Sequence, residues 1–392
     1  RSRAFRDGLV VLQVAATLVL LVGAGLMLRT LANLNAVELN FDANSLLTMQ
    51  VALPQPKYAD PVKRQAFYER VVGDVRALPG VRTAAFGSTL PFQSIGNTRF
   101  FAVEGRQPLP GDEPDALFRV GTSDYLRTLG VMPIEGRLLD ARDGANAPHA
   151  VVVNDTLVRL FMPGQSALGR RIRFGLPGDP WFTVVGVVRD LAERGYEQAP
   201  KPGVYVAAAQ TAGTAANLIV RVDGDPIGYS PAVQRIVRAV DPDQPVRLIR
   251  SMTEIIGLTV GDRRQQTTLL VVFGALALVI AALGLYGLLA QTVAARAREI
   301  GIRMALGATW RNIMRMVMSR GIVLTGIGGA IGAVLAWSVT RAMSTLLYGV
   351  GASDPLTFAL VGGLLVTVSA VACAIPAVRA ARVDPIATLR CE

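Results

Sequence analysis

Residues 265–295 read QQTTLLVVFGALALVIAALGLYGLLAQTVAA, a run without one Asp, Glu, Lys, Arg or His. An α-helix rises about 1.5 Å per residue, so about 20 such residues cross the roughly 30 Å of hydrocarbon in a bilayer. Three further uncharged runs reach that length, Gly8–Leu28, Gly321–Thr340 and Pro355–Val378. One such run alone also fits a buried helix in a large soluble protein. Four of them with basic flanks define a membrane protein with four spans. The run 265–295 exceeds the need, so its helix is expected to project past the bilayer or to begin near Leu269.

Composition agrees. The 392 residues are 51% hydrophobic and 18% charged, against about 25% charged in soluble domains. The net charge of +11 invites a nucleic-acid reading, and its placement argues against one. Between Thr30 and Asp262 there are 24 basic and 24 acidic residues, so the whole excess lies beside the apolar runs, 16 basic against 5 acidic. Arg1, Arg3 and Arg6 precede the first run. Arg296, Arg298, Arg303, Arg311, Arg315 and Arg320 lie between the second and third, against the single acid Glu299. Arg379, Arg382 and Arg390 follow the fourth. Basic loops stay cytoplasmic, and these segments share one side if every run crosses. Both termini are therefore expected inside, with residues 31–262 outside.

That outer stretch reads as mixed α/β, in two subdomains joined around Ala116–Gly121 and Val222–Pro226. Strands are expected at Leu46–Leu53, Val81–Gly87, Ala116–Gly121, Ala150–Val153, Arg171–Phe174, Phe182–Val188, Gly203–Val206 and Leu218–Val222. Helices are expected at Pro61–Leu78, Ser123–Leu129, Asp155–Phe161, Tyr229–Val240 and Met252–Val260. Gln107–Asp115 and Ala192–Pro202, rich in Pro, Gly and charge, read as exposed loops. The carboxylate groups Asp112/Glu113/Asp115, Asp140/Asp143 and Asp241/Asp243 sit among turn formers and read as solvated turns rather than catalytic pairs. Asp241-Pro242-Asp243 opens like a calcium loop, but Met252 stands where the bidentate Glu is required. The single histidine, His149, excludes a histidine-based metal cluster, and the cysteines Cys373 and Cys391 leave the outer stretch without a disulfide. The start at Arg1 without Met reads as a piece of a longer polypeptide, and Asp384–Glu392 as a natural end.

Between the second and third runs stands Arg298-Glu299-Ile300-Gly301-Ile302-Arg303-Met304-Ala305-Leu306-Gly307-Ala308. A topogenic loop needs only its arginines. Ile300, Ile302, Met304 and Leu306 add a short helix, apolar on more than one side, that Gly307 ends before Thr309 caps the third span. An apolar helix outside the bilayer needs a partner surface. The segment resembles the R-E-I-G-I-R-x-A-x-G-A sequence of the FtsX/MacB-type ABC transporter permeases, the type VII or mechanotransmission class. The likeness extends over the chain, from Phe41-Asp42 through Leu53-Pro54 and Tyr58 to Asp354-Pro355-Leu356-Thr357-Phe358 and Pro376–Pro385. It looks most like the C-terminal half of a duplicated acidobacterial-type permease.

The resemblance implies an α-helical membrane protein with four transmembrane helices and a mixed α/β periplasmic core domain inserted between helices 1 and 2. Residues 1–30 would hold the first span, 31–262 the MacB-like core domain, and 263–392 the FtsX-like permease domain with a coupling loop at 296–320. It implies that Glu299, Ile300, Gly301, Ile302, Arg303, Met304, Ala305, Leu306 and Gly307 dock on a cytoplasmic ABC ATPase. It further implies a second permease unit, as a homodimer or tandem copy, a periplasmic adaptor, and the inner membrane. Gly328 and Gly332 form a G-x-x-x-G face suited to helix packing, within one chain or across a dimer. The only lysines, Lys57, Lys63 and Lys201, each lack the preceding Gly of a phosphate loop. No cofactor is therefore expected on this chain, and ATP is expected on the partner. The uncharged spans disfavour a proton- or ion-coupled carrier, and no Gly-x-Ser-x-Gly is present to make the outer domain an enzyme. The alternative is a non-transporting envelope regulator or scaffold that gates a cell-wall hydrolase.

Overall fold

The structure is a computed structural model that describes residues 2–93, 96–106, 114–176, 178–196, 198–211, 214–296, 299, 302, 309–343 and 347–381. By contact it divides into residues 37–261 and a second unit made of 1–36 with 262–392.

In the unit 37–261, the order is β1 (Leu46–Gln50), α2 (Gln55–Tyr58), α3 (Pro61–Arg76), β2 (Val81–Gly87), β3 (Thr98–Val103), β4 (Asp115–Gly121) and α4 (Tyr125–Thr128). There follow β5 (Pro133–Gly136), β6 (Ala150–Asn154), α5 (Asp155–Phe161), β7 (Arg171–Phe174), β8 (Trp181–Val188) and β9 (Gly203–Ala207). Last come β10 (Asn217–Val222), α6 (Ser230–Val240) and β11 (Arg247–Ser251). Local chemistry sets several boundaries. Asp60 accepts from the Val62 N–H at 2.9 Å with Pro61 in the first turn of α3, and Asn154 accepts from the Leu157 N–H at 3.1 Å to start α5; both satisfy orphan donors of a helix start.

Strands β11, β1, β10 and β2 lie side by side in that order, every neighbour antiparallel. With α3 between β1 and β2 and α6 between β10 and β11, this is a split β-α-β arrangement of the ferredoxin-like kind. Its helical face buries Phe67, Tyr68, Val71 and Val75 of α3 and Val233 and Val237 of α6 against Leu47, Met49, Phe86 and Val220.

Between β2 and β10 the chain builds a second fold. Strands β4, β3, β7, β8, β6 and β9 pair in sequence, and β9 returns to β4, so the six close into a small barrel. Its interior is filled by side chains such as Phe101, Phe118, Val151, Phe174 and Val204, as a narrow barrel requires. The folds meet where Gly87 pairs with Gly121, and the Tyr125 ring lies over both glycines where any Cβ would stand. The expected junction at Ala116–Gly121 lies on β4 of the barrel. The second junction falls after β9 ends at Ala207 and before β10 begins at Asn217, rather than at Val222–Pro226, where β10 ends inside the ferredoxin-like fold.

The membrane unit comprises α1 (Ser2–Asn35), the part of α7 (Met252–Ala295) beyond residue 261, α8 (Trp310–Ala342) and α9 (Pro355–Ala381). Four stretches in these helices are long and apolar enough to cross a bilayer: Ala4–Leu34, Arg263–Ala295, Met314–Ala342 and Pro355–Pro376. α1 is the hub. Val14, Leu18, Val22 and Leu26 are buried with Leu285 of α7, Ala336 of α8 and Val361 and Leu365 of α9.

Candidate functional site

The segment expected to carry coupling begins where α7 ends at Ala295. Glu299 and Ile302 are helical, and Ile302 is a large apolar side chain 46% exposed. Ile300, Gly301, Arg303, Met304, Ala305, Leu306 and Gly307 lie outside the described residues. Thr309 occupies the N-cap position of α8, yet its hydroxyl makes no capping bond. Its carbonyl instead takes the Asn312 N–H at 3.0 Å, so the cap is made by backbone alone, contrary to the side-chain cap read from the sequence.

Gly328 and Gly332 face α1. A Cβ on Gly328 would stand 2.8 Å from the Val14 Cβ and 2.9 Å from the Val11 carbonyl oxygen. One on Gly332 would stand 2.9 Å from both Cα and O of Ala15. Backbone cannot yield as a flexible side chain can, so this pair sets the α1–α8 approach within the chain. The Thr17 hydroxyl lies 2.7 Å from its own Gln13 carbonyl and 3.1 Å from the Ala277 carbonyl of α7.

Polar clasps close both ends of this unit. At one end Asp7 pairs with Arg320 at 2.7 Å and Arg6 donates to Gln291 at 2.6 Å. At the other, Arg29 pairs with Asp354, which also accepts the Thr357 N–H at 2.9 Å at the start of α9. The Thr357 hydrogen bonds, then the Arg29 charge, hold the Asp354 carboxyl down at about 2. Beside it, Asn33 donates to the Gly349 carbonyl at 3.1 Å. Arg29 and Asp354 flank apolar runs, and the Asp-Pro-x-Thr pattern before α9 was the readable signal of the cap.

In the outer unit, charge is more buried than its turn-rich sequence implied. Arg119 of β4 is 2% exposed and pairs with Glu193, itself 5% exposed within the stretch expected to be a surface loop. Tyr205 donates to the same carboxylate at 2.5 Å, and Arg119 reaches the Asn97 carbonyl at 3.2 Å. Burial and then the Glu193 charge push the Tyr205 phenol well above its ordinary range. A lone Arg in the otherwise apolar strand Ala116–Gly121 was the signal for this buried pair.

The solvated-turn reading also needs correction at Asp143 and Asp241. Asp143 is 5% exposed and takes both arms of Arg137, at 2.7 and 2.8 Å. Asp241 is 3% exposed and held by Lys57 at 2.6 Å and Tyr58 at 2.7 Å. Burial raises both carboxyls, and these partners outweigh it to leave both below their usual range. Buried acids need partners, and short-range turn composition does not reveal partners that are distant in sequence. Asp115 pairs with Lys201 at 2.5 Å, while Asp112 and Glu113 lie outside the described residues. Among the described residues no three His, Cys, Asp or Glu side chains converge as metal ligands.

One apolar helix long enough to span a bilayer, an α/β unit of two folds, then three more such helices give the architecture of a membrane protein with a large domain inserted after its first span. The chain belongs to the MacB/FtsX permease family, since the MacB-like periplasmic core domain matches residues 10–255 and the FtsX-like permease C-terminal domain matches residues 271–385. The pyoverdine export ATP-binding/permease protein PvdT of Pseudomonas putida is 29% identical over 66% of this chain and 40% of its own length. The macrolide export ATP-binding/permease protein MacB of Hahella chejuensis is 30% identical over 68% of this chain and 42% of its own. MacB of Azoarcus sp. is 25% identical over 100% of this chain and 58% of its own length. This chain thus spans about 40 to 58% of these relatives. The solved periplasmic region of MacB from Actinobacillus actinomycetemcomitans is 13% identical, with a TM-score of 0.39, over 58% of this chain and 95% of that one.

Proposed function

We propose that this chain is the permease part of an ABC-type export system in the inner membrane, passing ATP-driven motion of a cytoplasmic ATPase to a periplasmic domain. The observation that carries the reading is the pair of family matches, in chain order, over 10–255 and 271–385. The mechanism draws support from α7, one helix from Met252, next after β11, to Ala295, next before the arginine-rich segment. A helix transmits displacement along its axis better than a loop does. The termini and the segment 296–320, whose last residues from Trp310 open α8, are cytoplasmic in this reading, because the arginines cluster there. ATP binds an ATPase module outside Arg1–Glu392, and the chain itself performs no catalysis. A second permease unit completes the assembly, and a periplasmic adaptor carries cargo onward.

Ile302 provides the test, because an apolar anchor at an interface typically costs more than about 1 kcal/mol when lost and a rim charge less. Ile302→Asp is expected to abolish co-purification of the ATPase while expression and topology stay normal, and Arg311→Ala to do little. An Ile302→Asp protein that recruits its ATPase at wild-type affinity overturns the docking assignment. Turnover stimulated by an added export cargo supports export. Recovery of a bound peptidoglycan hydrolase without such stimulation overturns it in favour of the regulator.

A further inference from the structure

At the arginine-bearing end of the membrane unit, α1, α7 and α8 leave a small polar pocket of about 120 Å³ lined by Arg6, Asp7, Gln291, Thr292, Arg296 and Arg320. Drug-sized ligands occupy about 300–1,000 Å³, so this space suits a small polar group and not a whole cofactor. Its three arginines arrive from three places, α1, the residue after α7, and α8. Against them stands one acid, Asp7. The side chains therefore sum to +2, and the carbonyl end of α7 takes back only about half a charge. A topogenic cluster needs its arginines on one side of the membrane; it does not need them around one concavity.

The arginines have donors to offer. Arg320 gives one nitrogen to Asp7 at 2.7 Å, and a guanidinium carries five N–H groups. Arg296 is half-buried, and among the described residues its side chain makes no ion pair or hydrogen bond. Like charges brought this close to one another call for an anion between them.

Position along the helices identifies the anion. Arg6, Arg296 and Arg320 each stand one or two residues outside an uncharged run, Gly8–Leu28, 265–295 and Gly321–Thr340 in turn. That is at most about 3 Å along a helix. The pocket therefore lies just beyond the hydrocarbon, in the headgroup layer that adds about 5–7 Å to each face of the bilayer. Basic pockets between spans at this level take anionic headgroups.

We propose that this pocket binds the phosphate of an anionic phospholipid from the leaflet on the arginine-rich side, with Arg296 and Arg320 as its main donors and Arg6 at its rim. The net charge selects phosphatidylglycerol over phosphatidylethanolamine, whose ammonium would sit among three arginines. The site rests on the membrane unit alone and stands or falls independently of export.

The test uses the full chain in a non-ionic detergent, titrated with phosphatidylglycerol, phosphatidylethanolamine or inorganic phosphate, with bound copies counted by native mass spectrometry. One phosphatidylglycerol should be retained at concentrations where phosphatidylethanolamine is not. Arg296→Gln should weaken that binding about fivefold, the ratio that about 1 kcal/mol per arginine gives. Asp7→Asn removes the opposing charge and should tighten it, a change of the opposite sign that loosened packing would not produce. Arg311→Gln removes the same charge from an exposed position outside the pocket and should leave binding unchanged. Equal retention of the two lipids, an equal loss in Arg311→Gln, or no change in Arg296→Gln overturns the site in favour of diffuse attraction to a basic surface. Weaker binding in Asp7→Asn overturns the charge assignment. Inorganic phosphate that binds as tightly as the lipid overturns the lipid in favour of a free anion. Loss of ATPase co-purification in Arg296→Gln with lipid binding unchanged overturns it in favour of a protein partner.

Discussion

At Gly332 the difference between a hydrogen and a methyl group decides how near α8 comes to α1, because the atoms opposite are the Ala15 backbone. Gly332→Leu should lower the thermal unfolding midpoint in detergent by an amount matching roughly 1–3 kcal/mol of overpacking. Gly329→Leu, one turn away and facing open space, should barely move it; equal shifts would refute the assignment. Arg119 presents the opposite problem, a charge whose burial is tolerable only with Glu193 in place. Arg119→Met leaves the buried Glu193 carboxylate without its cation and should cost about 3–5 kcal/mol, part of it recovered by adding Glu193→Leu. Urea unfolding of residues 37–261 reads both. Asp354 supplies a pH dependence of known sign. Thr357 and Arg29 hold its folded pKa at about 2, below the ordinary 3.8. Its contribution is therefore full above 3.8 and disappears as pH falls toward 2. Asp354→Asn should remove that part of the acid sensitivity, seen as a flatter unfolding midpoint across the window.

Among the elements, α7 differs most from its sequence reading. Met252–Val260 reads as a helix of its own, and the run 265–295 as a helix that projects past the bilayer or begins near Leu269. Charge does not break a helix, and neither Pro nor a cap intervenes, so Met252–Ala295 is continuous. Gln266→Pro removes a backbone donor and should cost about 3 kcal/mol locally. Under the proposed mechanism it should retain ATPase co-purification and lose cargo-stimulated turnover; unchanged stimulation would show that helix continuity is dispensable. The other elements divide by the kind of signal they carry. Val81–Gly87, Asp155–Phe161 and Arg171–Phe174 match their expected bounds, since apolar alternation or a cap marks each. β3, β5 and β11 were not legible. Their residues are mostly exposed or half-buried; β5 and β11 are strands by pairing to a neighbour, and β3 reaches the barrel core only with Phe101 and Val103. The Asp143 and Asp241 partnerships were hidden for the related reason that a sequence does not show which cation arrives from elsewhere. Of the coupling segment, Glu299 and Ile302 are described, and its apolar character rests on the residue order.

For the molecule as a whole, the arginine clusters predict one topology. A cysteine at Ser166, an exposed position, should react with an impermeant maleimide from outside spheroplasts; labelling only after lysis would invert the arrangement. The outer unit should also fold when excised, as a monomer indifferent to chelators. Its end belongs at Gly261 and not at Glu254, since Ile255 and Ile256 pack on the core that contains Phe41, Leu129 and Met252. A fragment ending at Glu254 should unfold at lower urea than one ending at Gly261. The insertion of the barrel into the ferredoxin-like sheet sets an order of events during synthesis. β2 and β10 are neighbours, yet Asn217 reaches back 129 residues to Ser88, and Thr48 waits for Arg250, 202 residues later. Contacts so distant along the chain form slowly. The barrel, whose strands all lie between, can close first, while β1 and β2, which do not pair with each other, lack their shared partner β10 until it and β11 have been made. The nascent chain is most vulnerable to proteases and mispairing in that interval, which ends just as the second membrane-spanning helix enters the translocation machinery.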